Sequence, residues 1–298
     1  MIKNNNYWDK SDLLPAFQYS KSIIEHHAKS FSFAAKFLPD YRRWGTYAVY
    51  CFCRFADNII DNPRNRTKNE LITELNELRR ELDAAYKYSE SEHPALKAFI
   101  ATAKEFDIPK EYADELLNGV EMDLSYVSYN TFDELYLFCY RVASTVGLMM
   151  TYVLGYSGGQ QTLVYAEKLG IAMQLTNLLR DISDDYKIGR IYLPKDDLRK
   201  FSVKIEDISA GNFTKEFRDL MKFQVERAYM YYNESQPGIN SLNKESRFAI
   251  QAASKIYGEI LNKIIENDYN PFIGRVFVTH NKKIQILFSE LIGNFIKK

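Results

Sequence analysis

Residues 174–185 read QLTNLLRDISDD, from Gln174 to Asp185, and this stretch decides the fold. Leu175, Leu178, Leu179 and Ile182 recur at helical spacing, so the segment is one turn after another of an amphipathic helix. At ~100° per residue, Gln174, Asn177, Asp181 and Asp185 fall within an arc of ~80°. Asp181 and Asp185 are four apart, so their carboxylates stack on one side, where like charges repel and weaken a helix. A cation between them removes that cost. Upstream, residues 50–61 read YCFCRFADNIID and repeat the device, with Tyr50, Arg54, Asp57 and Asp61 within ~60°. Apolar neighbours flank both stripes (Ala48, Val49, Phe52, Ile59 and Ile60; Ile171, Ala172, Leu175 and Leu178), which favours the lining of an internal cavity over a solvent face.

Two such helices face to face make an oxygen-lined cleft suited to Mg²⁺, with Mn²⁺ as the alternative ion. Mg²⁺ takes one or two carboxylates and completes its shell with water and substrate phosphate oxygens. Asn177 adds a neutral oxygen and Gln174 an amide. Arg54 and Arg180 offer planar forks for phosphate. The pattern therefore points to diphosphate chemistry.

Helical periodicity continues outward over 15–27, 44–60, 67–88, 93–105, 110–126, 131–154, 161–186, 214–234, 243–267 and 281–296. Alternating runs long enough for a sheet are missing, so the expected class is all-α. The separators, such as Asn62-Pro63-Arg64-Asn65 and Ser157-Gly158-Gly159-Gln160, are short turns, and one domain over 1–298 is expected. Thr131 with Glu134 fits a capping box.

Composition narrows the classes. Basic and acidic residues balance at 39 each, so no global charge recruits nucleic acid. The three cysteines, Cys51, Cys53 and Cys139, suit a reducing compartment, and the four histidines supply no helical zinc pair. The start lacks the pattern of a signal peptide, and the apolar run 146–156 is far shorter than the ~20 residues of a membrane span. A cytoplasmic protein is expected. Peripheral contact at the inner membrane surface is suggested only weakly, by Lys282, Lys283, Lys297 and Lys298, which a solvated surface explains equally well. The 22 Tyr and 19 Phe fit either a packed core or an aromatic-lined lipid tunnel. Small residues at Ala143, Ser144 and Gly147 either open room for a long apolar chain or bring helices close. The stretch Tyr186–Pro194, with Lys187, Gly189 and Arg190, reads as a flap over phosphates or as a plain connection.

YAVYCFCRFADNIID, VEMDLSYVSYNTFDELYLFCYRVASTVGLMM and QLTNLLRDISDDYKIGRIYLP resemble the signature stretches of squalene and phytoene synthases, and ERAYMYY, IYGEIL and ENDYNPFIGRVFV resemble that family's C-terminal pattern. The resemblance runs from about 17 to 287. It implies an isoprenoid-synthase helical bundle around a central cavity and Mg²⁺-dependent head-to-head coupling of two prenyl diphosphates. By matching positions, it implies metal binding by Asp57, Asp61, Asn177, Asp181 and Asp185. Tyr50 and Tyr140 would serve the reaction centre, and Ser30, Phe31, Arg54, Gln174, Arg180, Arg190, Tyr257 and Arg275 would contact substrate. The YRVASTVGLMM stretch most resembles bacterial phytoene synthases, which use two geranylgeranyl diphosphates and no NADPH. Dehydrosqualene or squalene synthesis from farnesyl diphosphate is the alternative. No glycine-rich dinucleotide fingerprint supports the reductive squalene route. A catalytically silent lipid-binding or assembly relative would be expected to have lost acidic residues, and both Asp pairs are intact. Three positions depart from the pattern: Asn58 where a second Asp is frequent, Ser144 where Gly is common, and Ser128 where Arg is common. Asn58 lies ~100° from Asp57 and is expected outside the ligand set.

Overall fold

The computed structural model describes residues 6–124 and 128–296, with side chains described for all of these except Ser30 and residues beyond 291. The chain runs through α1 (Leu14–His27), α2 (Lys29–Ala35), α3 (Asp40–Asp61), α4 (Lys68–Tyr88), α5 (Pro94–Phe106), α6 (Lys110–Leu124), α7 (Phe132–Cys139), α8 (Thr145–Leu154), α9 (Gln160–Lys187), α10 (Lys195–Lys200), α11 (Ile205–Ala210), α12 (Lys215–Ser241), α13 (Lys244–Glu266) and α14 (His280–Ile296). No β-strand forms among the described residues; an isolated bridge pairs Tyr156 with Leu242. The all-α class is as expected.

Local chemistry sets the ends. Thr67 caps α4 in a reciprocal box with Glu70. Pro94 opens α5 at a position where its missing N–H costs nothing, and Asp107 closes it in the left-handed region at φ 54°. The predicted box at Thr131 forms by half: the Thr131 hydroxyl accepts from the Glu134 N–H, but the Glu134 carboxylate turns to the Asn130 N–H at 2.6 Å.

The expected helix over 131–154 is interrupted by a π-turn, Tyr140–Ser144. Its extra residue changes which side chains face inward. Ser144 is buried against α9, its hydroxyl donating to the Glu167 carbonyl at 2.7 Å. The helices touch at Gly170, where an added Cβ would sit 2.5 Å from the Ser144 Cα. Ala143 and Gly147 face a cavity instead. The small residues thus divide between both anticipated roles. Three short helices, α2, α10 and α11, appear where periodicity signalled none, since six or seven residues hold too few turns for a stripe. Helix α12 runs through Pro237 to Ser241, past the expected end at 234. Packing sustains it, with Tyr165 lying against Gly238, where a Cβ would meet the Tyr165 Cβ at 2.3 Å.

Two main apolar clusters flank the centre. One draws on α3, α4, α5, α6 and α8, with Phe52 stacked on Phe99 at 4.2 Å; the other draws chiefly on α7, α9, α12 and α13. Arg42 is buried, donating to the Val153 carbonyl and to Glu245, and so ties α3 to α8 and α13. The segment Phe132–Leu154 is long and apolar enough to cross a membrane by length and composition, contrary to the shorter run read from sequence, yet half of it is buried inside the bundle.

Candidate active site

The two acidic stripes meet across one cleft. Helix α3 supplies Asp57 and Asp61, α6 supplies Asp123, and α9 supplies Gln174, Asn177, Asp181 and Asp185. About 700 Å³ of open space lies between them. Directly adjoining is a larger, mainly apolar chamber of about 1570 Å³ including its mouth, walled by α2, α3, α8, α9, α12 and α13. Asp57, Gln174 and Asn177 stand on the walls of both. The polar cleft therefore opens into the apolar chamber at these three side chains.

Cations surround the carboxylates. Arg180 forms a two-bond fork with Asp181, at 2.8 and 2.5 Å, and Arg275 reaches the same carboxylate at 2.9 Å. Arg54 lies 3.5 Å from Asp61, and Arg190 lies 3.4 Å from Asp123. Burial and the neighbouring Asp61 push Asp57 up to about 7; burial and Asp181 do the same to Asp185. Such values mark carboxylates held together at a cost, and a cation removes that cost. Asn177 Oδ1 and Arg54 Nε are buried without a hydrogen-bond partner. An orphaned amide oxygen beside two carboxylate pairs is the donor set a hard divalent cation fits. Among the described residues no three Asp, Glu, His or Cys side chains converge on a point that could hold an ion without help. Any ion must therefore draw on Asn177, water or substrate oxygens as well.

Most of the anticipated residues are brought together. Tyr50, Arg54, Phe31 and Tyr257 stand on the chamber wall, with the Phe31 and Tyr257 rings 5.3 Å apart. Tyr50 is pushed up to about 12 by burial. Tyr140 packs between the two apolar clusters and is on the wall of neither cavity. The side chain of Ser30, and Lys297 and Lys298, lie outside the described residues. Asn58 lines neither space. Beyond Gly189, the Tyr186–Pro194 stretch is fastened: the Tyr192 hydroxyl donates to Asp123 at 2.9 Å. The sequence reading missed Asp123 and Tyr192 as cleft residues. Asp123 has no partner four residues away, so no paired stripe announced it.

A family profile described as squalene/phytoene synthase matches residues 24–282. The chain belongs to the squalene/phytoene synthase family. Among the relatives of this synthase-family chain, the 15-cis-phytoene synthase of Synechocystis sp. is 35% identical, covering 91% of this chain and 83% of its own length. The phytoene synthase of Arthrospira platensis is 34% identical over 91% of each chain. A solved dehydrosqualene synthase superposes with a TM-score of 0.87 at 32% identity, covering 95% of this chain and 97% of its own. The squalene synthase of Alicyclobacillus acidocaldarius superposes at 0.81 with 25% identity, covering 90% and 100%. The chain is thus an enzyme of the prenyltransferase class, and its family-level reaction is head-to-head condensation of isoprenyl diphosphates, typically Mg²⁺-dependent.

Proposed function

We propose that this enzyme joins two geranylgeranyl diphosphates head to head to give phytoene, in carotenoid biosynthesis. The observation that carries the proposal is the junction at Asp57, Gln174 and Asn177, where a carboxylate cleft opens into a chamber of about 1570 Å³. A mainly apolar chamber adjoining a carboxylate cleft suits a substrate with a diphosphate head and a long apolar tail.

The residues would divide the work as follows. Asp57, Asp61, Asn177, Asp181 and Asp185 would hold Mg²⁺, which when bound supplies positive charge to the departing diphosphate. Arg54, Arg180, Arg190 and Arg275 would hold phosphate oxygens through charge-assisted bonds. As the donor's C–O bond breaks, these groups stabilise the diphosphate leaving group and an allylic cation forms. The acceptor's double bond attacks that cation, a C–C bond forms, and loss of one proton closes a cyclopropylcarbinyl diphosphate. A second C–O cleavage, rearrangement and proton loss give the hydrocarbon and the second diphosphate. Phe31, Met150, Met173 and their neighbours on the chamber wall exclude water, which would quench each cation.

A second reading uses two farnesyl diphosphates to make a C30 product. The superposition on a dehydrosqualene synthase favours it. A competition assay separates the two. Equal amounts of the C15 and C20 diphosphates with Mg²⁺ yield mainly C40 hydrocarbon on the first reading and mainly C30 on the second.

A further inference from the structure

Both carboxylate oxygens of Asp123, near the end of α6, are occupied by the connection that follows α9. Oδ1 accepts from the Tyr192 hydroxyl at 2.9 Å, and Oδ2 lies 3.4 Å from Arg190 Nη1. The Tyr192 ring stacks on Phe138 at 5.2 Å, and the Lys195 and Asp196 N–H groups donate to the Tyr129 and Asn130 carbonyls, each at 3.0 Å. Just upstream the chain is exposed. Ile188 is 65% exposed, and Gly189 sits at φ +79° with nothing near the place a Cβ would take. The connection is therefore exposed at 188–189, where backbone bonds to the Asp185 and Tyr186 carbonyls hold it, and clasped by side chains from 190 onward.

We infer that Asp123 is a positioning residue, which fixes Arg190 at the rim of the cleft and pins the α9–α10 connection beside it, and is not a further cation ligand. Asp123 is set apart by the Tyr192 hydroxyl bonded to its Oδ1 and the Arg190 guanidinium paired with its Oδ2, both from the connection after α9. Aiming Arg190 at a diphosphate rests on the function proposed above; the clasp does not.

Trypsin tests it, because Lys187 and Arg190 are cleavage sites on the two sides of Gly189. Losing a charge-assisted bond is worth about tenfold or more in local opening, so Asp123→Asn speeds cleavage at these sites by about that factor. Tyr192→Phe, which leaves every charge in place, speeds it less. The Mg²⁺ concentration that half-maximally raises the melting temperature, at saturating inorganic pyrophosphate, stays within twofold of wild type in Asp123→Asn. Unchanged cleavage in both variants overturns the clasp. A several-fold higher Mg²⁺ requirement in Asp123→Asn makes Asp123 a cation ligand and also overturns the inference. Absence of any hydrocarbon product would defeat the proposed function and leave the cleavage pattern untouched.

Discussion

Arg275 Nε lies 2.9 Å from Asp181 Oδ1, although 94 residues separate the two. Arg180 holds the same carboxylate from the adjacent position. Asp181 therefore pairs with two guanidinium groups, which under the proposed function would exchange a carboxylate partner for a phosphate one. The Arg275 side chain is 58% exposed, so its ion pair contributes little to stability and is cheap to break. Arg275→Ala is expected to leave the melting temperature within a few degrees and to lower kcat/KM about tenfold, chiefly through KM. Thermal melts with steady-state kinetics check both.

Asp57→Asn and Asp181→Asn each remove one charge from the cleft with little change of shape. Turnover is expected to fall by at least ~10²-fold, the scale of losing one electrostatic stabiliser of a leaving group. Circular dichroism should remain that of the folded helical chain. Near-normal turnover in either variant would remove that residue from the ion site.

Asp57 and Asp185 titrate in the folded chain near 7, against an ordinary value of 3.8. Without divalent cation the folded state binds these protons more tightly than the unfolded one. Their contribution to stability is thus fully present below about pH 4 and is lost as pH rises through about 7. A cation requires the ionised carboxylates, so Mg²⁺ opposes the loss. The rise in melting temperature on adding Mg²⁺ should be larger at pH 8 than at pH 6. An equal rise at both would contradict ion binding at these two carboxylates.

The close crossing of Ser144 and Gly170 predicts a stability effect remote from the charges. Gly170→Ala places a methyl 2.5 Å from backbone at Ser144, so α9 and the π-turn must separate. Overpacking of this kind costs about 1–3 kcal/mol, readable as a lowered midpoint in urea.

Asn58 faces neither cavity, which accords with the helical angle that set it apart from Asp57. Asn58→Asp should keep turnover within about threefold and change the Mg²⁺ optimum modestly, since an added charge beside the cleft acts through water and screening. A loss approaching that of Asp57→Asn would show that position 58 touches the reaction.

The acidic helices were legible because their chemistry is periodic. Asp57 with Asp61, and Asn177, Asp181 and Asp185, each repeat at helical spacing, and one helix brings each set to one side. Asp123 was not legible, because its role depends on Tyr192 and Arg190, 69 and 67 residues away, and no local pattern encodes that meeting. The π-turn at Tyr140–Ser144 was hidden for a different reason. In a stretch this rich in apolar residues, one extra residue leaves no clear break in the hydrophobic pattern, and the structure places Ala143 and Gly147 on the chamber wall. Tyr140, expected at the reaction centre, is partly buried against both apolar clusters and lines neither cavity.

The most direct measurement is of the hydrocarbon and diphosphate formed by purified protein from geranylgeranyl diphosphate and Mg²⁺ without NADPH. The account predicts a C40 hydrocarbon with the mass of phytoene and two diphosphates released for each molecule formed. A C30 hydrocarbon from farnesyl diphosphate, with none from geranylgeranyl diphosphate, would contradict it.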